Sequence, residues 1–292
     1  MKIIFAGRDN AFNRKMVQEF SVHHEVVCCL FLEPGRVSRK GKRDIIMRRV
    51  KKQGLLKTID QLAFHLFDRL FLRRNEARFW KQRAEYCDSA LPLQCPVHQV
   101  HNIHDKRWIE LCRQLKTDII LATCSKIIFK PELYNIPALG TYIVHEGLTP
   151  EYKGLHTPLW ALMKKEFQNI GYTILKANNK IDGGEILIQN TYSLGPGENY
   201  RTWSWVGHNA IIAGMENICH AFCQLEKSKS FAPINTAGRK SSYYTWMGLS
   251  DFIGLYLKNY VLGSSVKQSY VSEQHISRQI EPVDENTVRV SA

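Results

Sequence analysis

Apolar positions along the chain follow two repeats. Lys2 to Ala6 and Val26 to Leu32 are short β-rich runs, closed by Gly7 and by Glu33-Pro34-Gly35 respectively, the pattern of strands buried on both faces of an open sheet. From Asp105 to Leu115, residues Trp108, Ile109, Leu111, Cys112 and Leu115 return at helical spacing, and Thr117 to Ala122 follows as a strand. Strand, helix, strand is the repeating unit of an α/β fold. Thr141 to Val144 predicts another strand and Thr157 to Lys165 a short helix. Gly171 to Ala177 and Glu185 to Thr191 predict two more strands, with a turn at Asp182-Gly183-Gly184 between them. Glu198 to Lys227 has the period of one long helix. Thr236 to Leu262 is aromatic-rich with a short helix at Asp251 to Tyr260, and from Ser264 onward polar residues dominate, which predicts a disordered tail.

The expected architecture is therefore α/β: an open, mostly parallel Rossmann-like sheet with flanking helices, a basic helical insertion and a small C-terminal extension. Its expected divisions are an α/β domain at 1–227 with the insertion at 36–83, the extension at 228–263 and the tail at 264–292. With 44% hydrophobic and 23% charged residues, the composition excludes a disordered chain, collagen or a coiled coil. No apolar run approaches the ~20 residues of a membrane span. The stretch from Met1 to Gly7 is too short for a signal peptide, so the expected location is cytoplasmic. The eight cysteines contain no CxxC pair and read as free thiols. Cys219 and Cys223 stand one helical turn apart, but no second pair has zinc-site spacing, so packing is the expectation and no metal is implied.

Charge changes the picture in one place. Of a formal +13, the segment from Arg36 to Arg83 carries +12, with 16 basic residues against four acidic ones. Within it Leu55, Ile59, Leu62, Leu66 and Leu70, with Leu56, Ala63, Phe67 and Phe71, fall at helical spacing and describe a basic amphipathic helix. Three roles stay open: packing on the body with solvated charges, contact with an anionic surface or a protein partner, and attraction to phosphates of RNA or of a nucleotide-linked substrate.

Ligands of open α/β sheets bind beyond the carboxyl ends of strands, which directs attention to the loops after Ala122, Val144 and Ala177. One stretch reads Gly140-Thr-Tyr-Ile-Val-His145-Glu-Gly-Leu-Thr-Pro150-Glu-Tyr-Lys-Gly154, and another reads Gly171-Tyr-Thr-Ile-Leu-Lys-Ala-Asn-Asn-Lys-Ile-Asp182-Gly-Gly. In order and separation these resemble the folate-dependent formyltransferase family, and in style its sugar N-formyltransferases. In that family a strand ends in Asn-x-His, a Leu-x-Pro-x-basic-Gly loop follows, and a later loop supplies an aspartate. His145, Pro150, Lys153, Gly154, Gly171, Thr173, Asp182, Gly184 and Gln189 match that pattern, over about Met1 to Lys227.

The resemblance implies formyl transfer from 10-formyltetrahydrofolate to an amino group, with a nucleotide-linked amino sugar as a candidate acceptor, His145 and Asp182 as catalytic residues and His156 and Glu146 as candidate accessories. Ser125, Ile127, Ile128, Ile143, Asn179 and Asp182 are the expected cofactor contacts, because Thr123 to Phe129 looks like the cofactor-side loop. The family's asparagine falls on Ile143, which has no hydrogen-bonding group. Losing one oxyanion donor costs ~3 to 4 kcal/mol in comparable sites. Other readings are transfer to a different acceptor, aminoacyl-tRNA included, hydrolysis of the formyl group, and a non-catalytic folate- or nucleotide-binding protein. His145-Glu146 does not begin HExxH, since Thr149 stands where the second histidine belongs.

Overall fold

The computed structural model describes residues 1–33, 39–73, 76, 79, 81, 92–123 and 128–262. Five strands run parallel: β1 (Lys2–Gly7), β2 (Glu25–Leu32), β3 (Val97–Val100), β4 (Ile119–Thr123) and β5 (Gly140–His145). A short strand, β6 (Lys153–Gly154), lies off this sheet, and β7 (Gly171–Lys176) and β8 (Ile186–Thr191) then add an antiparallel edge. The seven-stranded order is β3-β2-β1-β4-β5-β7-β8. The expected fold class is the observed one.

The central strands are apolar at nearly every position because helices cover both faces. On one face lies α1 (Ala11–His23), an element additional to those expected, with Phe12, Met16 and Phe20 at one-turn intervals packed toward Phe5 and Leu121. Its first turn is capped by Asn10, whose side chain accepts from the Asn13 amide at 2.8 Å. The insertion follows as α2 (Arg39–Gln53) and α3 (Leu55–Phe67), continued by a π-helical turn at Asp68–Leu72. The opposite sheet face is covered by α4 (Lys106–Gln114), through Trp108 and Cys112, and by α5 (Pro131–Tyr134), through Leu133. Next come α6 (Thr157–Lys164), α7 (Trp203–Ala213) and α8 (Met215–Ser228). The single helix expected over Glu198 to Lys227 is thus two helices with a 3-10 turn before them. They meet at Gly214, where a Cβ would stand 2.1 Å from the Tyr172 ring, so close approach of helix and sheet requires glycine there.

The insertion departs from the amphipathic expectation. Helix α3 buries Thr58, Gln61 and Phe64 and turns Leu55, Ile59, Leu62 and Leu66 outward. The buried polar groups are satisfied: Gln61 Nε2 donates to the Trp246 carbonyl at 2.8 Å, and Thr58 Oγ1 to the Gly54 carbonyl at 2.8 Å. The chain after α8 supplies the facing surface. Its strand β9 (Tyr243–Tyr244) pairs in parallel with β6. Its helix α9 (Leu249–Tyr256) sets Phe252 5.6 Å from Phe64 and 5.2 Å from Phe67, while Lys57 pairs with Asp251 at 2.7 Å. Insertion and extension share one apolar cluster with α6 and α7, built on Leu159, Trp203, Val206, Met247 and Phe252. The tail at 264–292 lies outside the described residues, as do Cys87 and Cys124.

Candidate active site

The strand order reverses between β1 and β4, and this switch point is tightly joined. Thr123 Oγ1, fully buried, donates to Asn13 Oδ1 at 2.6 Å, and Asn13 Nδ2 donates to the Arg8 carbonyl at 2.7 Å. A Cβ on Gly7 would lie 2.5 Å from the Thr123 hydroxyl, so the last residue of β1 admits no side chain without displacing that bond. One strand further along, Tyr142 and Val144 of β5 enter the core, and alternation therefore turns Ile143 and His145 to the other face. Ile143 stands opposite Ala122 on β4 and Leu175 on β7 and is half-buried.

His145, 7% exposed, ends the strand. Its Nε2 lies 2.7 Å from the Tyr152 carbonyl, an acceptor, so Nε2 carries a proton and donates it. That fixes the ring and leaves Nδ1 as the nitrogen whose proton occupancy is free to change. Nδ1 faces Asp182 Oδ2 at 3.7 Å. Asp182 adopts a left-handed conformation, φ 46°, which aspartate tolerates, and Oδ2 accepts from the Gly154 amide at 2.9 Å. The two residues singled out from separate loops thus come together.

The loop between β5 and α6 is held from three sides. From β7, Thr173 Oγ1 accepts from the Thr149 amide at 3.2 Å and donates to the Gly147 carbonyl at 2.7 Å. From β8, Gln189 Nε2 donates to the Thr149 carbonyl at 2.8 Å and to Thr173 Oγ1 at 2.7 Å. From the extension, Arg239 makes a two-pronged contact with Glu151 at 2.7 and 2.6 Å and reaches Gln189 Oε1 at 2.8 Å. Beyond it the edge of the Tyr243 ring lies over Gly154, and desolvation and then the charge of Asp182 push the phenol above its usual range. Arg239 and Tyr243 lie beyond the motif-bearing region and are brought in by the β6–β9 pairing, by the Ser242 amide donating to the Pro150 carbonyl and by the bonds Arg239 itself makes.

The remaining expected residues are placed differently. Glu146 turns toward α7, with Oε1 3.3 Å from His208 Nδ1. The His156 ring lies 4.7 Å from the Trp203 ring and 5.4 Å from the Trp246 ring. Asn179 is exposed at the tip of the Asp182 loop, which neighbouring Asn178 shapes by accepting from the Lys180 amide at 2.8 Å. Ile128 is also exposed, and Ser125 and Ile127 lie outside the described residues.

Residues 78–206 match the family model described as formyl transferase, and the match contains His145, the Lys153-Gly154 strand and Asp182. This segment is similar in sequence to formyl transferase domains. Over 111 residues the chain is 32% identical to a methionyl-tRNA formyltransferase of Chlorobium chlorochromatii, an alignment covering 38% of this chain and 35% of the relative. The chain therefore spans about a third of the length of the curated methionyl-tRNA relatives it matches. In fold, the chain is similar to phosphoribosylglycinamide formyltransferase of Anaplasma phagocytophilum, with a TM-score of 0.50 at 11% identity, covering 84% of this chain and 97% of that one. A candidate sugar N-formyltransferase of Mycobacterium tuberculosis is similar to the same degree, with a TM-score of 0.50 at 13% identity over 84% of this chain and 75% of that one.

Proposed function

We propose that this chain transfers a formyl group from 10-formyltetrahydrofolate to a primary amine, with His145 and Asp182 as its catalytic pair. The observation that carries the reading is the fixed tautomer: Nε2 is tied to the Tyr152 carbonyl, and Nδ1 is left facing a carboxylate. The formyl donor supplies an acyl carbon on a nitrogen leaving group. As the acceptor nitrogen bonds to that carbon and the carbon–N10 bond breaks, one proton must leave the acceptor and one must reach N10. On this reading His145 Nδ1 takes the first, with the Asp182 carboxylate 3.7 Å from that nitrogen. Ile143, on the same strand face, offers an apolar wall for a flat ring but no hydrogen bond to a developing oxyanion. A slow enzyme is the physical consequence, by ~3 to 4 kcal/mol if no other donor substitutes.

For the acceptor, a nucleotide-linked amino sugar is the reading we favour over aminoacyl-tRNA. Its support is that 228–262 forms a strand and a helix seated on the body, and the similar fold of a candidate sugar N-formyltransferase agrees with it. On this reading 1–227 is the catalytic unit, with 36–83 and 228–263 as its additions. Calorimetry with 5-formyltetrahydrofolate tests the donor site, where saturable heat is expected and neither heat nor thermal shift at millimolar ligand would count decisively against the proposal. Mass spectrometry of nucleotide-linked amino sugars and aminoacyl-tRNA, each incubated with the protein and the formyl donor, tests the acceptor. Formylation of the tRNA alone would replace the sugar.

A further inference from the structure

Helix α3 turns an aliphatic stripe outward. Its inward face carries Thr58, Gln61 and Phe64 and its outward face Leu55, Ile59, Leu62 and Leu66, a stripe that Leu70 continues on the π-helical turn. Flanking it, Leu56 is 85% and Phe71 60% exposed. The adjoining helix α9 and its π-helical continuation repeat the arrangement with Ile253, Leu257 and Val261, one turn apart and all exposed. Leaving so much aliphatic surface in water costs roughly 25 cal/mol per Å² relative to covering it, and contiguous patches of this kind mark interaction faces. The charge beside the stripe identifies what covers it. Helix α2, packed on α3, exposes Arg43, Arg48, Lys51 and Lys52, and Arg69 lies on the turn itself.

We propose that α2, α3 and α9 form a docking face for an anionic membrane surface, with the aliphatic stripe entering the headgroup boundary and the flanking cations over phosphates. A second copy of the chain fits poorly, since its own segment of net +12 would be brought against this one. An acidic bilayer accepts both features, and apolar insertion with basic flanks is the combination that gives stable interfacial attachment. Among the described residues no helix is long and apolar enough to cross a membrane.

Flotation of the full chain with vesicles of phosphatidylcholine, with or without phosphatidylglycerol as a third of the lipid, tests this. Binding is expected only to the acidic vesicles. Replacing Arg48, Lys51 and Lys52 together by glutamine is expected to weaken it roughly a hundredfold, at about fivefold per charge. The double variant Ile59→Glu, Leu66→Glu is expected to abolish it while leaving the thermal melt near wild type, because both side chains are more than half exposed. Should that variant unfold, Ile59→Ser serves in its place. Absence of flotation overturns the proposal, and so does equal flotation of the apolar variants, which would mean adhesion by charge alone. A wild-type dimer in light scattering that these variants split would assign the stripe to self-association instead.

Discussion

Asp182 Oδ2 accepts the Gly154 amide at 2.9 Å while standing 3.7 Å from His145 Nδ1. The carboxylate is thereby oriented by a backbone group of the neighbouring loop and not by the histidine it faces. Each is anchored independently, His145 to the Tyr152 carbonyl and Asp182 to Gly154, and both anchors belong to the same short loop. The geometry of the pair is therefore the geometry of residues 152–154.

If His145 and Asp182 act as one unit, His145→Ala and Asp182→Ala each lower turnover by ~10² or more, the scale of losing an acid-base group. The double variant then loses little beyond either single one. Steady-state rates of the three variants with formyl donor and acceptor give the answer, and losses that multiply would show that the two residues work separately.

Ile143→Asn places an amide on the strand face of His145. A restored donor is worth up to ~3 kcal/mol, about a hundredfold in rate, if the amide reaches the oxyanion. A buried amide without a partner instead costs ~1 to 3 kcal/mol of stability. We expect a faster enzyme with a lower melting temperature. A stable variant with an unchanged rate would mean that position 143 does not face the reacting carbon.

Gly154 has φ 99°, and a Cβ on it would lie 2.1 Å from the Tyr244 carbonyl oxygen. Gly54 has φ 89° with nothing within 4 Å of the same position. Both glycines admit alanine only with backbone strain, about 1 kcal/mol, but at Gly154 the clash also parts β6 from β9. Gly154→Ala is expected to cost ~2 kcal/mol or more and to weaken folate binding, and Gly54→Ala to cost ~1 kcal/mol and leave binding intact. Comparative thermal melts and calorimetry decide, and equal losses would contradict the pairing.

Burial pushes the thiols of Cys28 and Cys219 up to about 12 and that of Cys112 up to about 11, so at pH 8 all three stay protonated. Alkylation requires the thiolate. Peptide mapping after iodoacetamide treatment at pH 8 is expected to find these three unmodified in the native protein and modified in denaturant. Native labelling at the denatured rate would show that the core opens around them.

Six of the seven strands of the large sheet were legible because each is a compact apolar run between glycine or turn residues, with observed limits within one or two residues of those expected; the edge strand β3, whose sequence Val-His-Gln-Val has no such run, was not. His145 and Asp182 were legible because the motifs that carry them are local. Three further features were not. The break at Gly214 depends on the Tyr172 ring from another element, and a continuous helical period gives no sign of it. The orientation of α3 depends on the Trp246 carbonyl and Phe252 meeting Gln61 and Phe64, partners more than 180 residues away, so periodicity located the apolar stripe but not the side it faces. Tyr243 arrives by a two-residue strand too short to leave a pattern, and Arg239 by side-chain bonds to Glu151 and Gln189, which lie 88 and 50 residues away in the chain.

The pairing of β6 with β9 also imposes an order on assembly. A nascent chain that has emerged through α8 holds every strand of the large sheet, but the loop bearing Tyr152 and Gly154 still lacks its Tyr243–Tyr244 neighbour. Such distant closure comes late, because loop entropy is lost before the contact repays it. The His145–Asp182 geometry is accordingly expected to set after the sheet, and a fragment ending at α8 to fold its sheet and still leave the Asp182 anchor loose.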